Sequence, residues 1–418
     1  MGNSSSGDLP TRNSSQCRLW LLATLITSLA CFATLVAFEI GLRVYRGGRF
    51  FFPHQPNSLQ IFYPSEEITP GVTDPSFFST NSYGTRGPEL HGETVRILTV
   101  GGSTTACTVL DDSETWPHLL MEELNRDSDG RVWVTNSGMD GKNSEHHLMH
   151  AIYLLPRLPR LDFVLVYAGL NDVGSWLYKT EYDSHFLEKP ENWDSRVGES
   201  FRASSYTPTS QPAYKRLHLW KMASQVKAWA LTWRNQRTRA QGVILQDAEL
   251  SWLEEERAAR RERKKSFVHR AKMETLPDAL ANYADNLTRI VDEVRTQGAE
   301  PVLVAQAMAA QLWSEQEREH FWMGAMDGGE TYVKETQMLE LVATFNAEMN
   351  VVATERNVIF VDLPTALPRD QNLFFDGVHF NEIGARVIAH ILADELREPI
   401  RTRLSAIADN KRFTDSKP

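Results

Sequence analysis

Five residues carry the chemistry this chain could do: Ser103, His379, Asp376, Gly138 and Asn171. A serine hydroxyl is a weak nucleophile until a neighbouring base takes its proton. His379 is the candidate base. Asp376 is the candidate acid that would fix its tautomer and steady the imidazolium. A tetrahedral intermediate needs hydrogen-bond donors aimed at its oxyanion. The backbone N–H groups of Ser103 and Gly138 and the side-chain amide of Asn171 could supply them, and the set as a whole fits acyl transfer. Each piece alone has a plainer role. The turn Gly101-Gly102-Ser103-Thr104 could start a helix or bind phosphate at its N-terminus, although no Gly-Lys-Ser/Thr follows to make a P-loop. Gly138 could form a turn. Asn171, Asp172 and Asp376 could cap helices.

What joins the five is their place among the predicted elements. The apolar run 96–100 reads as a buried strand ending in Gly101-Gly102. A second strand, 132–134, leads into Asn136-Ser137-Gly138-Met139-Asp140-Gly141, and a third, 162–168, into Gly169-Leu170-Asn171-Asp172. Strands at 301–305 and 358–361 follow later. Helices are predicted over 115–124, with Thr115 as N-cap and Pro117 in the first turn, and over 144–155, 277–296, 332–356 and 381–396. Near-continuous apolar strands alternating with helices imply a parallel sheet covered on both faces. An open sheet of that kind places its active site at the carboxyl ends of the strands. The segments holding Ser103, Gly138 and Asn171 would converge there with Asp376-Gly377-Val378-His379, just before the last helix.

In this order the four segments resemble blocks I, II, III and V of the SGNH/GDSL hydrolases. Ser103 matches the block I serine, Gly138 the block II glycine, Asn171 the block III asparagine and His379 the block V histidine, with Asp376 as the acid of Asp-x-x-His. One departure is a first block reading Gly-Gly-Ser-Thr instead of Gly-Asp-Ser-Leu, a common variant in the wider superfamily. The resemblance covers about 94–175 and 277–400. The segment Asn81-Ser82-Tyr83-Gly84-Thr85-Arg86-Gly87-Pro88 looks like a lead-in of membrane-anchored bacterial members. The resemblance implies a flavodoxin-like three-layer α/β/α fold and hydrolysis of a carboxylic ester, O-acyl or O-acetyl, through an acyl-enzyme on Ser103. It implies no metal and no organic cofactor. Family substrates range over lipids, acetylated polysaccharides and thioesters, so an acylated small molecule, glycan or lipid is expected.

The rest of the chain frames that domain. The expected organisation is a disordered polar N-terminus at 1–17, a transmembrane anchor at 18–40, and a linker and lead-in at 41–93. The hydrolase domain follows at 94–400, with a helical insertion at about 174–275, and a tail at 401–418. A second, smaller insertion falls at about 308–330. Residues 19–38 hold no charge. At about 1.5 Å per residue a helix of that length spans roughly the 30 Å bilayer core. A cleaved signal peptide would have a shorter apolar region and a small-residue cleavage site, and a buried core helix is the remaining alternative. Arginines at 12 and 18 before the run, and at 43, 46 and 49 after it, leave little positive-inside bias. The catalytic domain is expected on the extracytoplasmic side of a single-pass anchor.

A net charge of −10 argues against a nucleic-acid binder. Of the three cysteines, Cys17, Cys31 and Cys107, two lie in or beside the apolar run, which excludes an intramolecular disulfide framework in the globular part. The run Glu254–Lys265 is nearly all charge with opposite signs three and four apart, as in a solvated helix laced with weak ion pairs. His146 and His150, with Glu145 nearby, could share a helix face and bind zinc, but no His-Glu-x-x-His motif or distant partner accompanies them. Cys107 reads as a small buried residue. Two other functions remain open. An acyltransferase would pass the same acyl group to a sugar, and a non-catalytic binding protein would keep the groove alone.

Overall fold

The computed structural model describes residues 14–45, 50–73, 75–126, 128, 131–204, 251–262, 267–268, 273–309, 313–314, 318 and 321–415. The chain divides into two compact units, one of residues 1–49 with 210–241, the other of residues 50–209 with 242–418. In the first, α1 (Ser14–Tyr45) contains a 23-residue apolar stretch, Leu19–Gly41, of mean hydropathy 2.2. Its large side chains, Trp20 and Phe32 among them, are exposed. Among the described residues it is the one helix long and apolar enough to cross a membrane, which fits an anchor or a signal sequence.

The second unit opens with β1 (Phe51–Phe52), β2 (Leu59–Phe62) and β3 (Ser76–Ser79), within the stretch read as linker and lead-in. β2 and β3 pair antiparallel, with Phe62 and Phe78 buried and Leu59 and Phe77 exposed. Then come β4 (Val95–Gly101), α2 (Ser103–Ala106), α3 (Trp116–Arg126), β5 (Val132–Asn136), α4 (Ser144–Met149), β6 (Phe163–Ala168), α5 (Leu170–Tyr178) and α6 (Pro190–Ser200). Of the large insertion, residues 205–250 lie outside the described residues. β7 (Ala203–Ser204), α7 (Ser251–Glu262) and β8 (Phe267–Val268) are described. The chain continues through α8 (Leu276–Thr296), β9 (Glu300–Ala305), β10 (Ala325–Met326), β11 (Thr331–Val333), α9 (Glu335–Arg356), β12 (Ile359–Val361), α10 (Leu363–Ala366) and α11 (Glu382–Asp415).

β5, β4, β6, β9 and β12 lie side by side in that order, every pair parallel. Numbered along the chain, the order is 2-1-3-4-5, the flavodoxin-like doubly wound topology. Side chains alternate across a strand, and a core forms on each face. Leu98, Val100, Val164 and Val166 meet Leu287 and Ile290 of α8 and Phe345 of α9 on one side. Val95, Ile97, Phe163 and Leu165 meet Leu119 and Leu120 of α3 and Ile388 and Leu392 of α11 on the other. All six residues of β6, the central strand, are buried, which is why it reads as one unbroken apolar run.

Two elements depart from expectation. α11 runs on to Asp415, across residues read as a tail, because Ile400 stays in the core and Arg403 Nε donates to Asp162 Oδ1 at 2.6 Å. α7 is not a wholly solvated charged helix, since Arg257 and Arg260 are buried.

Candidate active site

The carboxyl ends of β4, β5 and β6 supply the turns that hold Ser103, Gly138 and Asn171. Ser103 is the first residue of α2, so its N–H lies outside the helix ladder and is free to donate. A helix of four residues has little stability of its own. It is held from beneath by Arg86, 2% exposed, from the lead-in segment. Arg86 Nε pairs with Asp112 Oδ1 at 2.7 Å. Its Nη1 donates to the carbonyls of Ala106 and Cys107 at 2.9 and 2.7 Å, and its Nη2 to those of Phe77 and Leu110 at 3.0 and 2.6 Å. All the guanidinium N–H donors are thereby used. Cys107 closes the turn in the left-handed region, with its thiol buried and pushed up to about 12.

His379 Nε2 lies 2.7 Å from Ser103 Oγ, and His379 Nδ1 lies 2.7 Å from Asp376 Oδ2. The second carboxylate oxygen accepts the backbone N–H groups of Val378 at 2.8 Å and His379 at 2.7 Å. Burial opposes ionisation of Asp376, but the His379 charge and these hydrogen bonds outweigh it and hold the carboxyl below its ordinary range. For His379, burial pushes the imidazole down, while the charge and hydrogen bond of Asp376 overcome it, and the net shift is upward. The imidazole lies parallel to the rings of Phe375, 5.4 Å away, and Trp322, 6.4 Å away.

Asn171 Nδ2 donates to the Lys142 carbonyl at 2.9 Å, which leaves its second N–H available. It sits against the turn before the serine: a Cβ built on Gly102 would lie 2.3 Å from Asn171 Nδ2. The neighbouring Asp172 accepts from the Ser144 N–H at 3.0 Å and its hydroxyl at 2.5 Å, which ties α5 to α4. Burial raises this carboxyl to about 7.

Gly138 is placed differently from the donor role expected of it. Its N–H donates to Asn136 Oδ1 at 2.7 Å. A Cβ there would lie 2.4 Å from Ala106 N, so the glycine is needed for the loop to pack under α2. His54 Nε2 lies 2.9 Å from the Gly138 carbonyl and braces the same loop. Gly141 was not singled out. It has φ +71° in the turn closed by Lys142 N–H to Met139 O at 3.3 Å, beside the carbonyl that holds Asn171. No hydrogen bond among the described residues engages its N–H. The Asp140-Gly141 dipeptide, a turn signature, was the available signal.

The histidine cluster is packed inside the domain. His146 Nδ1 lies 2.6 Å from Asn143 Oδ1 and its Nε2 lies 3.0 Å from Arg196 Nη1, while His150 Nε2 meets the Ser200 carbonyl at 2.9 Å. Glu145 pairs with Arg196 at 2.6 Å. The ring nitrogens that bond are thus turned to protein groups.

A doubly wound sheet holds a serine, a histidine and a carboxylate in one hydrogen-bonded line at its carboxyl edge, an arrangement that fits hydrolase chemistry. The GDSL-like lipase/acylhydrolase family matches residues 99–387, and the chain belongs to that family, whose members are carboxylic ester hydrolases acting on acylated substrates. No curated protein matches the chain. Among solved structures it is similar to Axe2, an acetylxylan esterase from Geobacillus stearothermophilus, at 13% identity over 73% of this chain and 95% of that one, with a TM-score of 0.38. LAE5, an α/β hydrolase from the metagenome of Lake Arreo, Spain, gives 13%, 73%, 96% and 0.38, and TesA gives 13%, 72%, 98% and 0.37. Likeness at that level says nothing about substrate.

Proposed function

We propose that this protein is a serine esterase that cleaves O-acyl, above all O-acetyl, esters through an acyl-enzyme on Ser103. The single observation that carries this is the continuous line Ser103 Oγ to His379 Nε2, and His379 Nδ1 to Asp376 Oδ2, both at 2.7 Å. As Oγ bonds to the acyl carbon, its proton passes to His379 Nε2, and Asp376 steadies the imidazolium. The oxyanion is met by the Ser103 N–H, the free N–H of the Asn171 amide and the Gly141 N–H, which replaces Gly138 in this role. Collapse breaks the carbon–oxygen bond of the ester, and His379 returns its proton to the leaving alcohol. Water then attacks the acyl-enzyme, gives its proton to His379, and frees the acid and the Ser103 hydroxyl.

The catalytic domain would span 94–400, and α1 would be a retained single-pass anchor with this domain on the extracytoplasmic side, facing acylated glycans or other acylated small molecules. Support for the anchor is the 23-residue apolar stretch Leu19–Gly41, of which residues 19–38 hold no charge. Resistance of the chain to extraction by alkaline carbonate, and digestion of the domain by protease added outside intact cells, would bear this out.

Kinetics of the full-length chain in detergent micelles test the chemistry. With p-nitrophenyl acetate, Ser103→Ala and His379→Ala should each lower kcat/KM by about a hundredfold or more. Turnover in the folded Ser103→Ala variant at the wild-type rate would refute it.

A further inference from the structure

Trp322 lies outside both the sheet and the five-residue set, in the chain between β9 and β11. Its indole Nε1–H donates to Asp376 Oδ2 at 3.3 Å, the same oxygen that faces His379 Nδ1. Its ring lies within 5° of parallel to the imidazole. This loop is gripped by the large insertion. Arg260 of α7, 3% exposed, donates from Nη1 to the carbonyl of Met323, the residue directly after Trp322, and from Nη2 to that of Val333 at 2.8 Å. Its guanidinium lies over the rings of Phe321 and Tyr332, at 5.1 and 5.3 Å. Downstream of α7, β8 pairs parallel with β11, and β11 pairs with β10, so the end of one insertion and the body of the other share one small sheet. Gly324, at φ +88°, turns the chain so that its carbonyl accepts the Val333 N–H at 2.9 Å.

We propose that Trp322 is a positioning residue for the Asp376–His379 pair, and that Arg260 holds Trp322 in place, so that the insertion between α6 and α8 sets the competence of the base. The proposal rests on the serine-esterase reading above. A carboxylate that accepts from both an indole and an imidazole on one oxygen cannot rotate without losing both bonds. The indole also draws charge from the oxygen that faces the imidazole, which tempers how tightly the imidazolium is held. Arg260 acts one residue away, by fixing the Met323 carbonyl and with it the backbone that aims the indole.

The test is a set of kcat/KM against pH profiles on the full-length chain in detergent micelles with p-nitrophenyl acetate. Trp322→Phe is expected to lower kcat about tenfold with little change in KM. It should also move the acid limb to higher pH, because Asp376, no longer shared, favours the charged imidazole more strongly. Asp376 and Asp140 are the charged groups that face His379, and Asp140 is untouched by the change. Arg260→Lys should shift kcat and the acid limb in the same direction. The double variant should fall no further than Trp322→Phe alone, since coupled residues are non-additive. Should Arg260→Lys fail to fold, Tyr332→Leu, which removes one of the rings under the guanidinium, takes its place. An unchanged kcat and acid limb in Trp322→Phe would overturn the proposal, and losses that multiply in full in the double variant would overturn the link through Arg260. Ser103→Ala run alongside keeps the two claims apart: its activity sinks the esterase reading, whereas an inactive Ser103→Ala beside a wild-type Trp322→Phe sinks only this one.

Discussion

Asp376 and His379 answer to opposing forces, and the balance makes a pH prediction. Burial disfavours both charges, yet each is favoured by the other, and the imidazole ends above its ordinary value of 6.5. A base must be neutral to take the serine proton, so activity should disappear as pH falls through a value above 6.5. Asp376→Asn removes the charge that raises the imidazole. The acid limb should then move to lower pH, and kcat should fall about ten-thousandfold as the tautomer is lost; a limb that stays put would show that Asp376 does not set this titration. Asn171→Ala should lower kcat about a hundredfold at nearly constant KM, as loss of one oxyanion donor does. Much of this was legible at the level of residue type, because a serine, an asparagine and Asp-x-x-His each follow a strand or precede a helix at the same edge. Gly138 was not, because sequence cannot tell a glycine needed for packing from one that donates: the Asn136 side chain that takes its N–H is two residues away and carries no pattern of its own.

Among the elements, α2 shows how the nucleophile is held. Four residues cannot make a stable helix, and the carbonyls at its end are satisfied by one buried guanidinium. Arg86→Ala would take the charge partner from Asp112, which keeps only its bonds from Ser79, and a buried donor from four main-chain carbonyls. It should cost about 3 kcal/mol or more of stability, read as a drop in the urea midpoint; a loss below about 1 kcal/mol would mean that water replaces the guanidinium. The sheet was legible because buried parallel strands are unbroken apolar runs, as β6 is. The short strands β1, β2 and β3 were not, since two to four residues give too little alternation to count. Trp322 was beyond reach of pattern altogether, because its role depends on a 54-residue separation from Asp376 that only the folded chain closes. The charged run at α7 hid Arg260 for a related reason: a buried arginine with carbonyl partners has the same letter as a solvated one.

Across the whole molecule, buried histidines govern the response to acid. Burial pushes His54 and His150 down to about 4, His146 to about 3, and His147 well below 6.5. Each stays neutral when folded but takes up a proton when unfolded below 6.5. The unfolded chain therefore binds more protons, and stability falls as pH drops, by about 1.4 kcal/mol per pH unit for each histidine within its window. Asp172 and Glu114, both raised to about 7, work the other way: they are protonated when folded, and their contribution is lost as pH rises through 7. His379 and Asp162, raised to a smaller extent, side with them, but the large downward shifts of the four buried histidines carry more, so the urea midpoint should be lower at pH 5 than at pH 7. A midpoint that is flat or higher at pH 5 would contradict the packed, neutral histidines.

The central claim is that Ser103 is the nucleophile, and the most direct measurement is covalent labelling of the full-length chain with a fluorophosphonate, followed by peptide mass mapping. The account predicts a single adduct on the peptide bearing Ser103, formed more slowly while excess p-nitrophenyl acetate is present, absent in Ser103→Ala and slowed in His379→Ala. A folded wild-type protein that takes no label, or one labelled equally in Ser103→Ala, would contradict it.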